Sequence, residues 1–377
     1  AVEAGDAAGP MNVSATAAID EHVLTLAGGV GSLNALRDNE PWPIALEAGL
    51  DALRVRLDGR IAEPLRMAGI DLHVAAAAPD LAAVGALAGT GLPAVTPVSM
   101  SADIDDARGT VRLTSLALAI GGSDLGGEIV FTAMAPRSRV EATLRSEAID
   151  LTELLPAPAS ATADADERLF PDTPLPLAAL QAVDATVRLQ VTELRHRAAV
   201  LADPELAAAL AGGRLDVSTL TAGIAGGTID ATLGFEAGET GAEASTRVAV
   251  RRLLPGRLPA VAAKNAVEGA PVDADLRLAG RGPSVAAVMG SADGHLRLRI
   301  GPGELDNRAA GIAGADLLLQ ALALLNPLSG DSASTALECA AFNFPVNDGI
   351  AANETGIGLL TRQLAVLGGG SIDLGTE

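Results

Sequence analysis

Alternation of hydrophobic and polar residues is the dominant pattern along this chain. Residues 184–194 (DATVRLQVTEL) place Val187, Leu189 and Val191 on one side and Arg, Gln and Thr on the other. Residues 294–300 (GHLRLRI) alternate in the same way. Because successive side chains of a β-strand point to opposite faces, this period of two predicts strands with one apolar face. Shorter segments with this pattern lie at 53–57, 70–74, 139–145 and 276–278.

Repeated Gly-Gly segments predict hairpins between such strands. Residues 116–131 (LALAIGGSDLGGEIVF) align with residues 220–235 (LTAGIAGGTIDATLGF), and a similar Gly-Gly-Ser-Ile-Asp motif lies at 369–373. A strand that ends at Gly-Gly and is followed by another strand is typical of a β-hairpin. We also expect tight turns at the glycine strings 28–31 and 368–370, because neither is followed by the Lys and Ser/Thr of a phosphate-binding loop.

Few segments predict helices, and these are short. Pro, Gly and Asp separate the predicted strands at short intervals, which favours antiparallel meanders over β-α-β units. The sequence therefore predicts a mainly β protein in which a few short helices cover a sheet. The candidate helices are 79–88, 204–211, 283–290 and 313–325.

One segment has the composition of a linker. Residues 156–176 (PAPASATADADERLFPDTPLP) contain five prolines among small and acidic residues, which indicates an exposed loop or a domain boundary. This segment divides the chain into a predicted N-terminal β module, residues 1–155, and a predicted C-terminal β module, residues 177–377.

Composition narrows the classes of function. Hydrophobic residues form 49% of the chain, yet there is no Tyr, one Trp and five Phe, so the apolar surface is mainly aliphatic. The 26 basic and 47 acidic residues give a net charge of −21. Such a charge disfavours nucleic acid and adsorption to anionic bilayers. The low aromatic content also argues against a carbohydrate-active β enzyme with dispersed catalytic residues.

The sequence contains no recognisable catalytic or metal-binding motif. A zinc site needs three or four converging ligands, and the four histidines, His22, His73, His196 and His295, are scattered along the chain. The acidic stretch 103–106 lacks the spacing of a calcium loop and is predicted to be a solvated turn. Cys339, between apolar residues, is predicted to be a small buried residue. We predict no enzyme activity, cofactor or metal.

Several segments together resemble the AsmA family of Gram-negative envelope proteins. Residues 79–104 (PDLAAVGALAGTGLPAVTPVSMSADI) are similar to its recurrent short helix, Pro-containing loop and strand. Residues 109–131 resemble its hairpin, 278–304 its glycine-flanked helix and strand, and 341–374 its closing strands. The similarity covers most of residues 70–377, and it rests on the order of these segments along the chain.

The resemblance implies both a fold and a function. The implied fold is an elongated antiparallel sheet curled into a β-groove, or half-pipe, and the implied function is movement of phospholipid between the inner and outer membranes. The implied location is the periplasm, with an inner-membrane anchor that precedes Ala1. The implied partners are phospholipid acyl chains, the inner membrane and further envelope proteins. No catalytic residue is implied.

The alternating strands supply candidate residues for such a groove. An aliphatic groove would shield a sixteen-carbon tail, which costs about 12 kcal/mol to expose to water. A closed β-sandwich would show the same alternation, and a structural or assembly subunit of a membrane complex would need no lipid. The candidate groove residues are Val187, Leu189, Val191, Leu276, Leu278, Leu296, Leu298 and Ile300.

Overall fold

The structure is a computed structural model, and it confirms a mainly β protein. It describes residues 2–4, 7–19, 22–87, 90–107, 109–155, 170–175, 177–197, 199–238, 241–258, 267–306, 334–362 and 364–375. The chain divides into two compact units. Unit 1 comprises Ala1–Ala161 and Val183–Leu194, and unit 2 comprises Thr162–Ala182 and Arg195–Glu377.

Unit 1 contains an antiparallel meander. Strands β1 to β10 pair in sequence order, each with the next. The strands are β1 (Val2–Ala4), β2 (Met11–Ile19), β3 (His22–Val30), β4 (Trp42–Leu50), β5 (Leu53–Glu63), β6 (Ala68–Ala78), β7 (Val98–Ala107), β8 (Thr110–Ile120), β9 (Ser123–Thr132), β10 (Ser138–Asp150) and β11 (Val183–His196), of which the last extends two residues beyond the unit.

Unit 2 repeats this construction with one local elaboration. Its main sheet runs β12–β13–β14–β15–β17–β18–β20–β21–β22, all antiparallel, while the short β16 and β19 pair with each other and β19 also pairs with the start of β20. The strands are β12 (Ala199–Ala211), β13 (Arg214–Ile224), β14 (Gly227–Ala237), β15 (Ala242–Leu253), β16 (Val267–Gly269), β17 (Val272–Gly282), β18 (Asp293–Ile300), β19 (Gly303–Asp306), β20 (Ser334–Asn347), β21 (Ile350–Thr361) and β22 (Ala365–Asp373).

Five short α-helices occur among the described residues. Several begin at a side chain that accepts a hydrogen bond from a free backbone N–H of the first turn. Ser32 Oγ accepts from Ala35 N at 3.1 Å, and Ser284 Oγ accepts from Ala287 N at 3.2 Å. The helices are α1 (Leu33–Arg37), α2 (Leu81–Leu87), α3 (Leu151–Leu154), α4 (Leu177–Ala182) and α5 (Val285–Gly290).

Two of the four predicted helices are confirmed. Helices α2 and α5 fall within the predicted 79–88 and 283–290. The predicted helix 204–211 is wrong, because these residues belong to β12 and pair with β13. The ladder of hydrogen bonds to β13 outweighs the helix preference of this Ala- and Leu-rich stretch. The predicted helix 313–325 lies outside the described residues.

Two of the predicted hairpins are confirmed and one is wrong. Gly121–Gly122 joins β8 to β9, and Ala225–Gly226 joins β13 to β14. The third copy, at 369–373, lies within β22. There Gly369 packs against the backbone of Glu354 beside a bulge in β21, so the close approach of the two strands explains this glycine.

The predicted turn at 28–31 is also wrong for its first three residues. Gly28 and Gly29 lie inside β3. Gly28 has φ +148°, and a β-carbon there would overlap the carbonyl oxygen of Ala45 on the neighbouring strand. The acidic stretch 103–106 likewise lies in β7 and not in a turn.

The described part of the predicted linker is short. Residues 156–169 and 176 lie outside the described residues, and the division into modules 1–155 and 177–377 stays a prediction. Pro174 forms an isolated bridge with Ser284, and Leu175 N donates to Pro283 O at 2.9 Å. These contacts hold the end of the segment against the start of α5.

Candidate functional site

An uninterrupted row of apolar residues crosses the sheet of unit 1. Each residue in the row is the register partner of the next, so all of their side chains share one face. With strands about 4.8 Å apart, the row extends over about 34 Å. We call it the apolar line of unit 1; its members, from β3 to β10, are Val30, Ile44, Gly59, Leu72, Ile104, Leu113, Ile129 and Ala142.

A comparable row crosses unit 2. It extends over seven strands and carries larger side chains at its β20 end. We call it the apolar line of unit 2; its members, from β12 to β20, are Leu206, Leu220, Ala231, Val248, Leu276, Leu296 and Phe344.

The structure brings five of the eight candidate groove residues together. Leu276 and Leu278 on β17 share one face with the three candidates of β18, and Leu276 is the register partner of Leu296. Leu298 pairs with Ala274 and Phe342 on its two sides. The other three candidates, Val187, Leu189 and Val191, lie on β11 in unit 1.

Sequence reasoning missed the aromatic part of this face. Phe342, Phe344 and Val346 alternate with Asn343 and Pro345 on β20, opposite the candidates of β18. The alternation in FNFPV was the available signal. It was obscured because Pro345 argues against a central strand.

The apolar faces remain partly open to solvent. Seven of the eight candidates are half-buried, and only Val191 is buried. Leu220 and Leu233, on the apolar face of unit 2, are 45% and 38% exposed. Among the described residues no large side chain is less than 2% exposed, whereas the interior of a closed sandwich contains such residues. The described apolar faces therefore leave aliphatic surface exposed.

Charges of opposite sign alternate across the polar face of unit 1. Arg56 lies 3.1 Å from Glu47, Arg60 Nε lies 3.3 Å from Asp71 Oδ2, and His73 Nδ1 lies 2.7 Å from Asp103 Oδ1. The hydrogen bond from His73 holds the pKa of Asp103 below its ordinary value. All of these groups are solvent-exposed, so they keep this face hydrated and contribute little stability.

The polar face of unit 2 is organised around Asp275. His295 Nε2 lies 3.1 Å from Asp275 Oδ1, Arg251 Nη2 lies 3.6 Å from Oδ2, and Arg277 Nε lies 3.8 Å from Oδ1. The hydrogen bond with His295 is the main cause that lowers the pKa of Asp275. His295 and Asp275 are thus joined by a hydrogen bond between β17 and β18.

The other sequence-predicted chemistry gives no site in the described residues. No group of three or more His, Cys, Asp or Glu residues in the described ranges could hold a metal ion. Cys339 is exposed, which corrects the prediction of a buried thiol. A bulge between Leu337 and Cys339 turns the cysteine away from the buried face. None of the helices that the structure describes is long and apolar enough to span a membrane.

Comparisons with known proteins agree with the family resemblance in the sequence. The family model described as the AsmA family matches residues 40–355. The chain is also 26% identical over 354 residues to the AsmA family protein YhjG of Escherichia coli (strain K12), covering 87% of this chain and 51% of that protein. It thus spans about half the length of this curated relative. No solved structure matches. The chain belongs to the AsmA family, whose members are typically associated with the Gram-negative cell envelope.

Proposed function

We propose that the apolar faces of this protein bind phospholipid acyl chains and conduct them between the inner and outer membranes. The protein acts without catalysis. In the full-length protein an N-terminal segment anchors it in the inner membrane, and the two units lie in the periplasm. Further envelope proteins complete the route of the lipid between the two membranes.

This proposal rests on the partial solvent exposure of the side chains in the apolar lines. Side chains such as Leu276 and Leu296 face other apolar residues across the sheet, yet they are only half-buried. Each methylene group of a lipid tail gains about 0.8 kcal/mol when it leaves water for such a surface. A sixteen-carbon tail therefore gains about 12 kcal/mol at most. This gain is enough to offset the cost of moving the tail out of a bilayer, and it requires no specific contact between the tail and the protein.

The composition of the apolar lines fits a sliding ligand. Their members are aliphatic residues and glycine, apart from Phe344. Aliphatic surface attracts a hydrocarbon chain through area alone, so its affinity changes little from one position to the next. The net charge of −21 meanwhile disfavours non-specific adsorption of the whole protein to anionic bilayers.

Site-specific photo-crosslinking in living cells tests the proposal. A benzophenone amino acid replaces Leu278 or Leu298 in the full-length protein, and after illumination the protein is analysed by mass spectrometry for attached phospholipid. The matched control places the same group at Ala279, a neighbour of Leu278 that lies on the polar face of the same strand. We expect phospholipid adducts at the two leucines and few at the control.

Two outcomes would contradict the proposal. Equal phospholipid labelling on both faces would show that contact with lipid is incidental. Protein adducts without lipid at Leu278 and Leu298 would instead support a structural or assembly role, in which the apolar face contacts a partner subunit.

A further inference from the structure

Three adjacent strands of unit 2 concentrate positive charge in an acidic protein. Strands β15, β17 and β18 contain seven Arg and four acidic residues, a balance of 7 − 4 = +3, whereas the whole chain has a net charge of −21. Five of these arginines lie on the polar face in neighbouring register positions. We call them the cationic patch: Arg247, Arg251, Arg277, Arg297 and Arg299.

The register places like charges beside one another within the cationic patch. Arg247 is directly opposite Arg277, whereas Arg297 and Arg299 are directly opposite Asp275 and Asp273. Like charges at directly opposite positions destabilise a sheet. Stability of the fold therefore does not explain why arginines occupy the positions of Arg247 and Arg277, and positions that break a local rule of this kind are often functional.

The acidic residues of the patch do not neutralise it. Asp275 is shared among Arg251, Arg277 and His295 at 3.6, 3.8 and 3.1 Å. Asp273 Oδ1 accepts a hydrogen bond from the backbone N of Arg252 at 2.8 Å. Two carboxylates thus face five guanidinium groups.

Guanidinium groups of the patch remain available to a ligand. Arg299 forms no hydrogen bond or ion pair with any residue that the structure describes, and Arg297 Nε donates only to the neutral Asn343 Oδ1 at 3.3 Å. On the flanking strands, Asp230 of β14 and Pro345 of β20 share the polar face with the patch. The cations are therefore collected at one place, with Asp230 and Asp293 as further carboxylates beside them.

The patch is concave as well as charged. A depression of ≈ 420 Å³ is lined by Arg251, Asp273, Asp275, Arg277, Arg297 and Arg299. This volume lies at the lower end of the range for small-molecule sites. A guanidinium group presents parallel N–H donors that match two oxygens of a phosphate, and several such groups compensate its charge.

We propose that the cationic patch binds a phosphate group. The phosphate belongs either to a lipid headgroup or to a free phosphate compound, since both present the same anionic oxygens. The patch lies on the face of the sheet opposite to the apolar line of unit 2, so this site does not depend on the proposed acyl-chain function.

Binding of inorganic phosphate to the full chain tests the site. We expect a phosphorus-31 NMR titration of the wild type to show saturable binding that weakens as sodium chloride is added. Arg299→Gln and Arg297→Gln should each weaken binding about tenfold, because each removes a charge-assisted hydrogen bond. Arg139→Gln, which removes one exposed arginine from β10 of unit 1, is the matched control and should bind like the wild type.

Vesicles separate the two sources of phosphate. The same proteins are sedimented with vesicles of neutral phosphatidylcholine, with or without 30% phosphatidylglycerol. Arg299-dependent binding to the phosphatidylglycerol vesicles alone would assign a lipid headgroup, and Arg299-dependent binding of inorganic phosphate would assign a free phosphate compound. If neither probe binds, or if Arg139→Gln weakens binding as much as Arg299→Gln, the proposal is overturned.

A stability measurement separates a binding role from a structural one. Arg277→Gln removes the like-charge contact with Arg247 and also removes a guanidinium group that lines the depression, so we expect its melting temperature to hold or rise while phosphate binding weakens. A lower melting temperature with unchanged phosphate binding would mean that the arginines serve the sheet, which would contradict the proposal.

Discussion

Units 1 and 2 present similar apolar lines but differ in how tightly the ends of their sheets are packed. Unit 2 contains two clusters of buried residues around β20, one with Leu337, Ala340 and Leu359 and one that includes Phe344 and Val346. The buried residues described in unit 1, such as Val30, Ile61 and Ala102, form no comparable cluster. One pattern of alternation therefore supports both an open face and a packed one.

The polar faces differ in a second way. In unit 1, arginines face carboxylates, as Arg56 does with Glu47 and Asp58. In unit 2, the cationic patch gathers arginines on neighbouring strands. Since the apolar lines are shared and the polar faces are not, a common function belongs to the apolar lines and a function specific to unit 2 belongs to the patch.

The largest effect on stability should come from the packed end of unit 2. Phe344 is 7% exposed within a cluster, so Phe344→Ala should lower the free energy of unfolding by about 3 kcal/mol through loss of contacts and a cavity. Phe131 of unit 1 is 39% exposed, and Phe131→Ala should cost less than about 1 kcal/mol. Urea unfolding measures both. Equal losses would mean that the units do not differ in packing.

A smaller effect should follow from adding a methyl group to β3 of unit 1. In Gly28→Ala the new β-carbon meets the carbonyl oxygen of Ala45 at a φ of +148°, and we expect a loss of about 2 kcal/mol. The adjacent Gly29 has nothing within 4 Å of such a carbon, so Gly29→Ala is the matched control. Thermal unfolding of the two variants compares them; if Gly29→Ala is the more harmful, the strands do not approach as described.

The smallest effect concerns pH and the polar face of unit 2. The lowered pKa of Asp275 contributes stability that is present above the unfolded value of about 3.9 and is lost as the pH falls through the folded value. Asp275→Asn lacks this contribution, so its urea midpoint should fall less steeply than that of the wild type between about pH 5 and pH 2.

Asp216→Asn provides the control for this measurement. Asp216 lies exposed on β13 and has no ion pair among the described residues. A slope for Asp275→Asn that matches those of Asp216→Asn and the wild type would show that His295 and the arginines do not stabilise the carboxylate.

Local sequence patterns predicted the strands and hairpins better than they predicted which residues of neighbouring strands contact each other. The alternation in 184–194 and 294–300 appears directly as β11 and β18, because period and burial agree there. The stretch 204–211 was misread because its Ala and Leu residues favour a helix in isolation, whereas pairing with β13 determines its structure. Bulges such as the one beside Cys339 depend on the partner strand, so no local pattern reveals them.

The candidate site was predictable only in part for the same reason. Alternation indicated which side of β17 and β18 is apolar, and the register then confirmed that Leu276 and Leu296 are partners. The contributions of Val248 and Phe344 depend on long-range pairing with these strands. The cationic patch was concealed because its arginines are spread over three strands of an acidic chain, so the net charge of −21 gave no sign of it.

Phospholipid content of the purified full-length protein tests the central claim most directly. We expect extraction and mass spectrometry to find phospholipid bound to the wild type and to Ala279→Asp, which adds a charge to the polar face of β17. Leu276→Asp adds the same charge to the apolar face and should lose most of this lipid, because an ionised carboxylate there opposes burial against an acyl chain. A folded wild type without lipid, or equal lipid in both variants, would contradict the account.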